Sequence, residues 1–400
     1  MYNVEKTKDK TINKLIKIDL NIIKKLKKEI SIEDSKGDKN FENIINYFKK
    51  LNLKDTICLL QNLNDQVLQN YIDIVLENTY KNKVYIRGLI EFSNICVNDC
   101  LYCGIRRSNN NVKRYILEYD KIVNLIVKEF SKGIKTFVLQ SGEMEESFIK
   151  EFILKVIKEA RKKIKDDFAI TLSCGVYSKN TYKEWKKAGV DRYLLRFETS
   201  DPKLYKFLCP GKSLKKRLNA LYDLKNLGYE VGSGFMVGLP FEDDQTRAKN
   251  LLLCRDFDFD MVGIGPYIPH IDTPLYNESF KYYNGEDIKS LNQKKVYLTK
   301  RLTSFLRLML PYSNIPATTA SGTINPQGRE IMLKAGANVL MPNITEKNYK
   351  KYYLLYPDKI CIDEDGFNCV NCLSKRLENI GKEISFERGD SIEKIRNMKN

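Results

Sequence analysis

The sequence predicts a closed (β/α)8 barrel of parallel strands with a helical N-terminal extension. From residue 84 onward, apolar and β-branched runs alternate with amphipathic segments of helical length, which is typical of parallel βαβ units. Eight such runs occur over residues 84–343, and eight units close a barrel. Most runs end in polar residues or glycine, as expected at an active-site mouth. A six-stranded partial barrel with extra edge elements is the alternative.

The elements follow in order along the chain. Residues 1–80 are predicted to form the helical extension, because their apolar residues recur near the helical period. The barrel and an accessory cysteine site are assigned to residues 81–380, and a charged tail to residues 381–400. The eight predicted strands are 84–94, 136–142, 168–175, 192–200, 230–240, 259–269, 315–321 and 337–343.

The amino-acid composition excludes several classes of protein and of active site. No signal peptide or run of 18 apolar residues occurs, so we expect a cytoplasmic protein with no membrane contact. The net charge of +17 comes from lysines spread over predicted helices, which indicates solvated faces, with an acidic protein partner as the alternative. Nucleic acid is not favoured, since no RNA-binding motif or dense basic stripe is present. A single histidine, His270, excludes His-dependent triads and HExxH zinc sites.

Three cysteines lie just beyond the first predicted strand, in "CVNDCLYCG": Cys96, Cys100 and Cys103. Iron–sulfur clusters are held by cysteine thiolates, usually four. Three thiolates would leave one iron of a [4Fe–4S] cluster open to a substrate or cofactor. Zinc is the main alternative, but a structural zinc site needs a fourth Cys or His nearby. Free buried thiols are the remaining alternative, and this spacing favours the cluster.

The CxxxCxxC spacing, with Tyr102 before the last cysteine, resembles the signature of radical S-adenosylmethionine (SAM) enzymes. In that superfamily SAM binds the open iron, and an electron from the cluster cleaves it to a 5'-deoxyadenosyl radical. The resemblance implies a TIM-type barrel of the radical SAM type. Further blocks are similar to the HydE family of [FeFe]-hydrogenase maturases, in the biotin synthase-like group: "FVLQSGE", "AGVDRYLLRFET", "GSGFMVGLP", "FDMVGIGPYIPHIDTPL" and "NIPATTASGT".

This resemblance implies a function in assembly of the hydrogenase diiron subcluster, by radical attack on an iron carbonyl cyanide precursor. It implies HydG and HydF type maturation proteins as partners, and an electron donor such as ferredoxin or flavodoxin. The alternative within the enzyme class is a divergent biotin synthase-like mutase or sulfur-chemistry enzyme acting on a small molecule. A non-catalytic iron–sulfur protein that binds RNA is a third hypothesis.

The resemblance also implies site residues. Tyr102 is expected to lean on SAM and Arg196 to contact its carboxylate, while Thr318 and Thr319 are expected to bind small anionic or organometallic ligands. The structural alternatives are packing for Tyr102, an ion pair for Arg196 and turn capping for the two threonines. The residues expected near SAM at the end of the second strand are Gln140, Ser141, Gly142 and Glu143.

A second cysteine group, Cys361, Cys369 and Cys372, resembles the accessory iron–sulfur site of some HydE proteins. The spacing leaves its metal open between a [2Fe–2S] cluster, a [4Fe–4S] cluster and zinc. Two positions depart from the family pattern: Val176 replaces the Glu of Leu-Ser-x-Gly-Glu, and Phe197 replaces the His of Arg-His-Glu-Thr. These departures predict a divergent paralogue with an altered substrate or impaired activity.

Overall fold

The computed structural model describes residues 38–362 and 373–392, and its main feature is a ring of parallel strands. Six strands pair side by side in the order β2-β3-β4-β5-β6-β8. The strands are β1 (Lys83–Ile86), β2 (Gly88–Ser93), β3 (Thr136–Ser141), β4 (Ala169–Ser173), β5 (Arg192–Leu194), β6 (Glu230–Ser233), β7 (Met236–Val237), β8 (Met261–Val262), β9 (Gly265–Pro266), β10 (Val339–Leu340) and β11 (Glu383–Ser385).

Beyond β8 the ring continues through single parallel bridges, and β10 also pairs in parallel with β1. The three bridges are Met261 with Asn314, Pro316 with Val339, and Leu89 with Asn343. Residues 314–316 therefore fill the seventh position, and residues 339–343 fill the eighth and return to β2. The predicted (β/α)8 barrel is confirmed, and the six-stranded alternative describes only its fully laddered part. We call the junction of residues 339–343 with β2 the seam.

Helices cover the outside of the ring, each with its apolar face turned inward. In the helix of residues 146–163, for example, Ile149, Ile153 and Val156 are buried at helical spacing. The helices are α1 (Asp38–Lys49), α2 (Leu53–Asn62), α3 (Asp65–Asn78), α4 (Tyr119–Phe130), α5 (Glu146–Lys163), α6 (Lys179–Ala188), α7 (Pro202–Leu208), α8 (Leu214–Asn226), α9 (Asp244–Phe257), α10 (Pro274–Tyr283), α11 (Ile288–Met309), α12 (Thr319–Ile324), α13 (Gly328–Lys334) and α14 (Lys347–Lys350). No helix in the described residues is long and apolar enough to cross a membrane.

The three helices before the first strand pack on the side of the barrel. Helices α1 and α3 contact α11, and α2 contacts α9. The buried Arg301 of α11 donates to the carbonyls of Leu60 and Leu63, each at 2.6 Å. These carbonyls lie at the C-terminal end of α2, where no helical N–H group is left to bond them. Residues 1–37 of the predicted extension lie outside the described residues.

The opposite end of the chain closes the N-terminal end of the barrel. Strand β11 pairs in parallel with β1, and residues 386–391, the floor segment, then run beneath the strand starts. Arg192 at the start of β5 pairs with Glu230 of β6 at 2.8 Å and with Asp390 of the floor segment. Burial opposes ionisation of Asp390, but the charges of Arg192 and Arg388 and the hydrogen bonds to Asp390 together outweigh it and lower its pKa to about 2. Residues 393–400 of the predicted tail lie outside the described residues.

Candidate active site at the barrel mouth

The loop that carries Cys96, Cys100 and Cys103 follows β2 at the C-terminal end of the barrel. Its backbone is bonded to neighbouring elements: the Val97 N–H donates to the carbonyl of Glu143, and the Leu101 N–H to that of Leu208, both at 2.8 Å. The first contact ties the loop to the end of β3, and the second ties it to the end of α7. The loop position is thus determined by the barrel itself.

The guanidinium of Arg114 organises the second half of this loop. It donates to the carbonyls of Asn94 and Ile105 at 2.8 Å and to that of Arg106 at 2.6 Å. A planar guanidinium with several fixed donors can satisfy carbonyls that no regular structure bonds. Arg114 therefore stabilises a turn that would otherwise leave buried backbone groups without partners.

Two glycines allow the loop to pack this closely. A Cβ atom on Gly142 would lie 2.3 Å from the carbonyl oxygen of Ile95 and 2.7 Å from Cβ of Cys96. A Cβ atom on Gly104 would lie 2.6 Å from the ring of His270. His270 is distant from the cysteines in sequence but packs directly behind their loop. Burial lowers the pKa of its imidazole, which favours the neutral form.

The three loop thiols occupy unlike environments. Burial raises the pKa of Cys96 and of Cys103. A hydrogen bond from Cys209, which follows α7, lowers the pKa of Cys100. Within residues 38–362 and 373–392, no three His, Cys, Asp or Glu side chains converge tightly enough to hold a single metal ion. A cluster with several irons suits such separated thiols, since each thiolate binds a different iron.

A cavity of about 350 Å³ opens beside the loop and extends into the barrel. Its walls gather the predicted SAM and substrate residues with the three cysteines, and Met341 of the last strand position also lines it. The predicted site residues on the wall are Cys96, Cys100, Tyr102, Cys103, Gln140, Ser141, Gly142, Glu143, Arg196, Thr318 and Thr319.

Two charged side chains of the cavity wall, Arg196 and Glu198, pair with each other and still have unfilled hydrogen-bonding capacity. The Nη2 atom of Arg196 donates to the carbonyl of Phe235 at 2.7 Å and lies 3.4 Å from Glu198. The Nε atom of Arg196 and the Oε2 atom of Glu198 are buried without a hydrogen-bond partner in the described part of the chain. Buried polar groups are rarely left in this state unless a ligand or water meets them. A guanidinium and a carboxylate here fit the carboxylate and amino groups of an amino acid.

Further predicted residues are held by local contacts. Glu143 accepts from the Val176 N–H at 2.9 Å and from Lys212 at 2.7 Å. Thr318 precedes α12, but its side chain makes no capping hydrogen bond; its hydroxyl lies 3.3 Å from that of Ser321. The turn-capping alternative therefore lacks its expected contact at Thr318.

Sequence reasoning missed several charged and aromatic residues on the cavity wall. Glu198 has a φ of +66°, a conformation that is uncommon for a residue other than glycine and that often marks functional sites. Its place at a strand end, in "RFETS", was a signal that could have been used. No local pattern points to the others, which are Glu91, Arg217, Tyr353, Tyr356 and Lys359.

The two departures from the family pattern lie in the wall rather than on its surface. Phe197 is fully buried and packs against Phe235 with ring centroids 5.8 Å apart. Val176 packs on the core, and its backbone N–H donates to Glu143. Phe197 thus serves packing, and the carboxylate nearest to the turn at Val176 is that of Glu143.

The second cysteine group is described only in part. Cys361 has a φ of +63°, and Arg329 donates to its sulfur at 3.0 Å. Arg329 also lines the barrel cavity, so Cys361 lies one side chain away from it. Cys369 and Cys372 lie outside the described residues.

This chain is similar in sequence to known proteins. Residues 90–254 match the Radical SAM superfamily. The chain is 43% identical over 337 residues to the [FeFe] hydrogenase maturase subunit HydE of Thermotoga maritima, covering 84% of this chain and 92% of that protein. This chain belongs to the HydE family. As in other radical SAM enzymes, the cofactors of the family are a [4Fe–4S] cluster and SAM.

More distant relatives share the fold of this HydE family member. A 3-methylornithine synthase of Methanosarcina acetivorans is 27% identical over 360 residues, covering 89% of this chain and 96% of that protein. The X-ray structure of the FeFe-hydrogenase maturase HydG from Carboxydothermus hydrogenoformans aligns with a TM-score of 0.67 at 18% identity, covering 92% and 83% of the two chains. At that identity, the structural match shows the fold alone.

Proposed function

We propose that this chain is the HydE-type maturase of an [FeFe]-hydrogenase system. It cleaves SAM reductively and directs radical attack at an iron carbonyl cyanide precursor of the diiron subcluster. One observation carries the proposal: the three loop cysteines line the same cavity as Thr318, Thr319 and Met341. A radical formed at the cysteine loop would therefore face the inner chamber without crossing solvent.

The residues at the outer end of the cavity have distinct tasks. When bound, the cluster and SAM supply the electron transfer and the adenosyl radical. Cys96, Cys100 and Cys103 hold the cluster and leave one iron for SAM. Arg196 binds the SAM carboxylate, since a guanidinium fork matches a carboxylate, and Glu198 accepts hydrogen bonds from the SAM amino group. Both roles would use hydrogen-bonding capacity that the described residues leave unfilled at Arg196 Nε and Glu198 Oε2.

The inner end of the cavity holds the substrate. Thr318 and Thr319 offer hydroxyl donors to an anionic or organometallic ligand. Met341 supplies an apolar wall beside them. The barrel wall keeps water from the radical, which would otherwise be lost to side reactions.

The proposed partners are HydG and HydF type proteins and an electron donor such as ferredoxin or flavodoxin. Ile95 and Val97, which flank Cys96, are 38% and 45% exposed. Arg107 on the same loop is also exposed, and the whole chain carries a net charge of +17. An apolar rim with basic neighbours suits an acidic partner, and binding to it should weaken as salt rises.

We also propose that Cys361, Cys369 and Cys372 hold an accessory iron–sulfur cluster. Its type, [2Fe–2S] or [4Fe–4S], is read from the EPR and Mössbauer spectra of protein in which Cys100 and Cys103 are replaced by alanine. Spectra without any cluster signal in that variant would contradict an accessory cluster.

The test of function is anaerobic reconstitution followed by incubation with SAM and dithionite, with and without the iron carbonyl cyanide species. We expect 5'-deoxyadenosine or an adenosylated product, and a change in the infrared bands of the iron species. The Cys103→Ala variant should lose nearly all SAM cleavage, while Cys254→Ala, at a buried cysteine far from the loop, should retain it. SAM cleavage by cluster-loaded protein without any change in the iron species would overturn this substrate assignment.

A further inference from the structure

A buried ion pair in the wall of the cavity has no part in the proposed chemistry. Glu91 near the end of β2 is 1% exposed and Lys359 is 7% exposed, and their charged groups form a salt bridge. Both residues line the cavity. The second oxygen of Glu91 accepts from Asn343 Nδ2 at 2.7 Å. Because both charges are removed from water, each depends on the other.

Lys359 belongs to a stretch that forms one wall of the cavity. We call residues 351–361 the covering segment. Tyr353, Leu355, Tyr356 and Lys359 of this segment all line the cavity. The carbonyl of Leu355 accepts from the Gly104 N–H at 3.0 Å. The covering segment therefore spans from the cysteine loop to Cys361.

Glu91 lies at the seam, where Leu89 of β2 exchanges backbone hydrogen bonds with Pro342 and Ile344, both at 2.9 Å. The Glu91 N–H donates to Thr345 Oγ1 at 2.8 Å, and its carboxylate binds Asn343. The neighbouring bridge joins Leu89 to Asn343. Glu91 thus connects β2, to which it belongs, with the stretch after β10 and with the covering segment.

Apart from Glu91, the Lys359 ammonium group has few contacts. It donates to the carbonyl of Tyr353 at 3.3 Å and lies 5.3 Å from the centre of the Tyr353 ring. The Tyr353 hydroxyl in turn accepts from Gln140 at 3.3 Å. Among the described residues, Glu91 is the only carboxylate that forms a salt bridge with Lys359.

We propose that Glu91 and Lys359 are a positioning pair that holds the covering segment against the seam and so seals the substrate end of the cavity. Closure by this pair keeps the radical and the substrate together until reaction. The structural part of the inference depends only on the contacts above. Its catalytic consequence depends on the proposed function.

The test compares Lys359→Met with the double variant Glu91→Gln/Lys359→Met in cluster-loaded protein. Lys359→Met leaves the buried charge of Glu91 unpaired, whereas the double variant leaves no charge. The matched control is Lys281→Met, which breaks an exposed ion pair with Glu278. Hydrogen exchange followed by mass spectrometry reports on residues 351–361, and turnover assays report on coupling.

We expect amide exchange in residues 351–361 to rise about tenfold in Lys359→Met, to fall back in the double variant and to stay unchanged in Lys281→Met. SAM cleavage should continue, but a smaller share of the cleaved SAM should end in product. Unchanged exchange in Lys359→Met would overturn the proposal, as would an equal rise over β3 and β4, which would indicate general destabilisation. A rise in exchange confined to residues 351–361 would support the positioning pair even if no protein, wild type included, showed turnover. The absence of turnover would then count against the proposed function.

Discussion

The two ends of the barrel use buried charge in opposite ways. At the floor, Arg192 pairs with both Glu230 and Asp390. At the mouth, Arg196 pairs with Glu198 at 3.4 Å, but Arg196 Nε and Glu198 Oε2 have no hydrogen-bond partner in the described residues. Unmet hydrogen-bonding capacity in a buried site lowers stability until something binds there. The comparison teaches that floor charges serve the fold, whereas mouth charges are kept for a ligand.

The largest expected effect separates the two arginines. Arg196→Met should weaken SAM binding by about thirtyfold, because a hydrogen-bonded charge contributes about 2 kcal/mol. Its melting temperature should stay close to that of the wild type. Calorimetric titration of SAM into cluster-loaded protein measures the first quantity and scanning calorimetry the second. Arg192→Met is the matched floor variant and should lose stability while SAM affinity is kept; the reverse pattern would break the comparison.

A second prediction tests the floor alone. Against the effect of burial, the two arginines Arg192 and Arg388 and the hydrogen bonds to Asp390 lower the pKa of Asp390 to about 2, below its ordinary value near 4. The ionised form therefore stabilises the fold above about pH 4, and this contribution is lost as pH falls from about 4 to 2. Asp390→Asn should thus reduce the free energy of unfolding by about 2 kcal/mol at pH 7 and by about half of that at pH 3.

Urea denaturation at pH 7, 5 and 3 measures this difference. Asp256→Asn, which removes an exposed partner of Arg255, is the control and should change stability by less than about 0.5 kcal/mol. A loss in Asp390→Asn that is the same at every pH would point to lost packing instead of lost charge.

The smallest expected effect sharpens the description of the mouth. The Cys209 thiol lowers the pKa of Cys100, as a hydrogen-bond donor to that sulfur would, and a donor to a ligand thiolate favours the reduced, more negative cluster. A weak bond of about 0.5–1 kcal/mol corresponds to roughly 20–40 mV for one electron. Cys209→Ala should therefore lower the midpoint potential by that amount in an EPR redox titration. A potential that does not move, with iron content unchanged, would show that Cys209 only packs.

Local patterns explain what could be predicted from the sequence. The eight strands follow from runs of apolar residues, and the CxxxCxxC loop is a short contiguous motif. The pair of Glu91 and Lys359 joins residues far apart in the chain, so no spacing reveals it. The same is true of His270, which packs behind Gly104 although its sequence position suggests no link to the cysteines.

The position of the floor segment also could not be predicted from the sequence. Its sequence, "FERGDS", is charged and reads as a solvent-exposed tail. In the fold, Arg388 pairs with Asp191, and the Ser391 hydroxyl donates to Asp260 at 2.9 Å. These charged residues lie under the barrel because their ionic and hydrogen-bonding partners lie at the strand starts. Only the tertiary structure brings the two groups together.

The pairing of β11 with β1 has a consequence for biosynthesis. Lys83 and Glu383 are register partners in this pair, so one edge of β1 has no neighbour while the ribosome makes the intervening chain. An unpaired strand edge is a template for association with other chains. We therefore expect this edge to stay open to association with other chains until residues 383–385 have been made. A premature stop codon before residue 383 would yield a barrel that aggregates rather than one that merely lacks a tail.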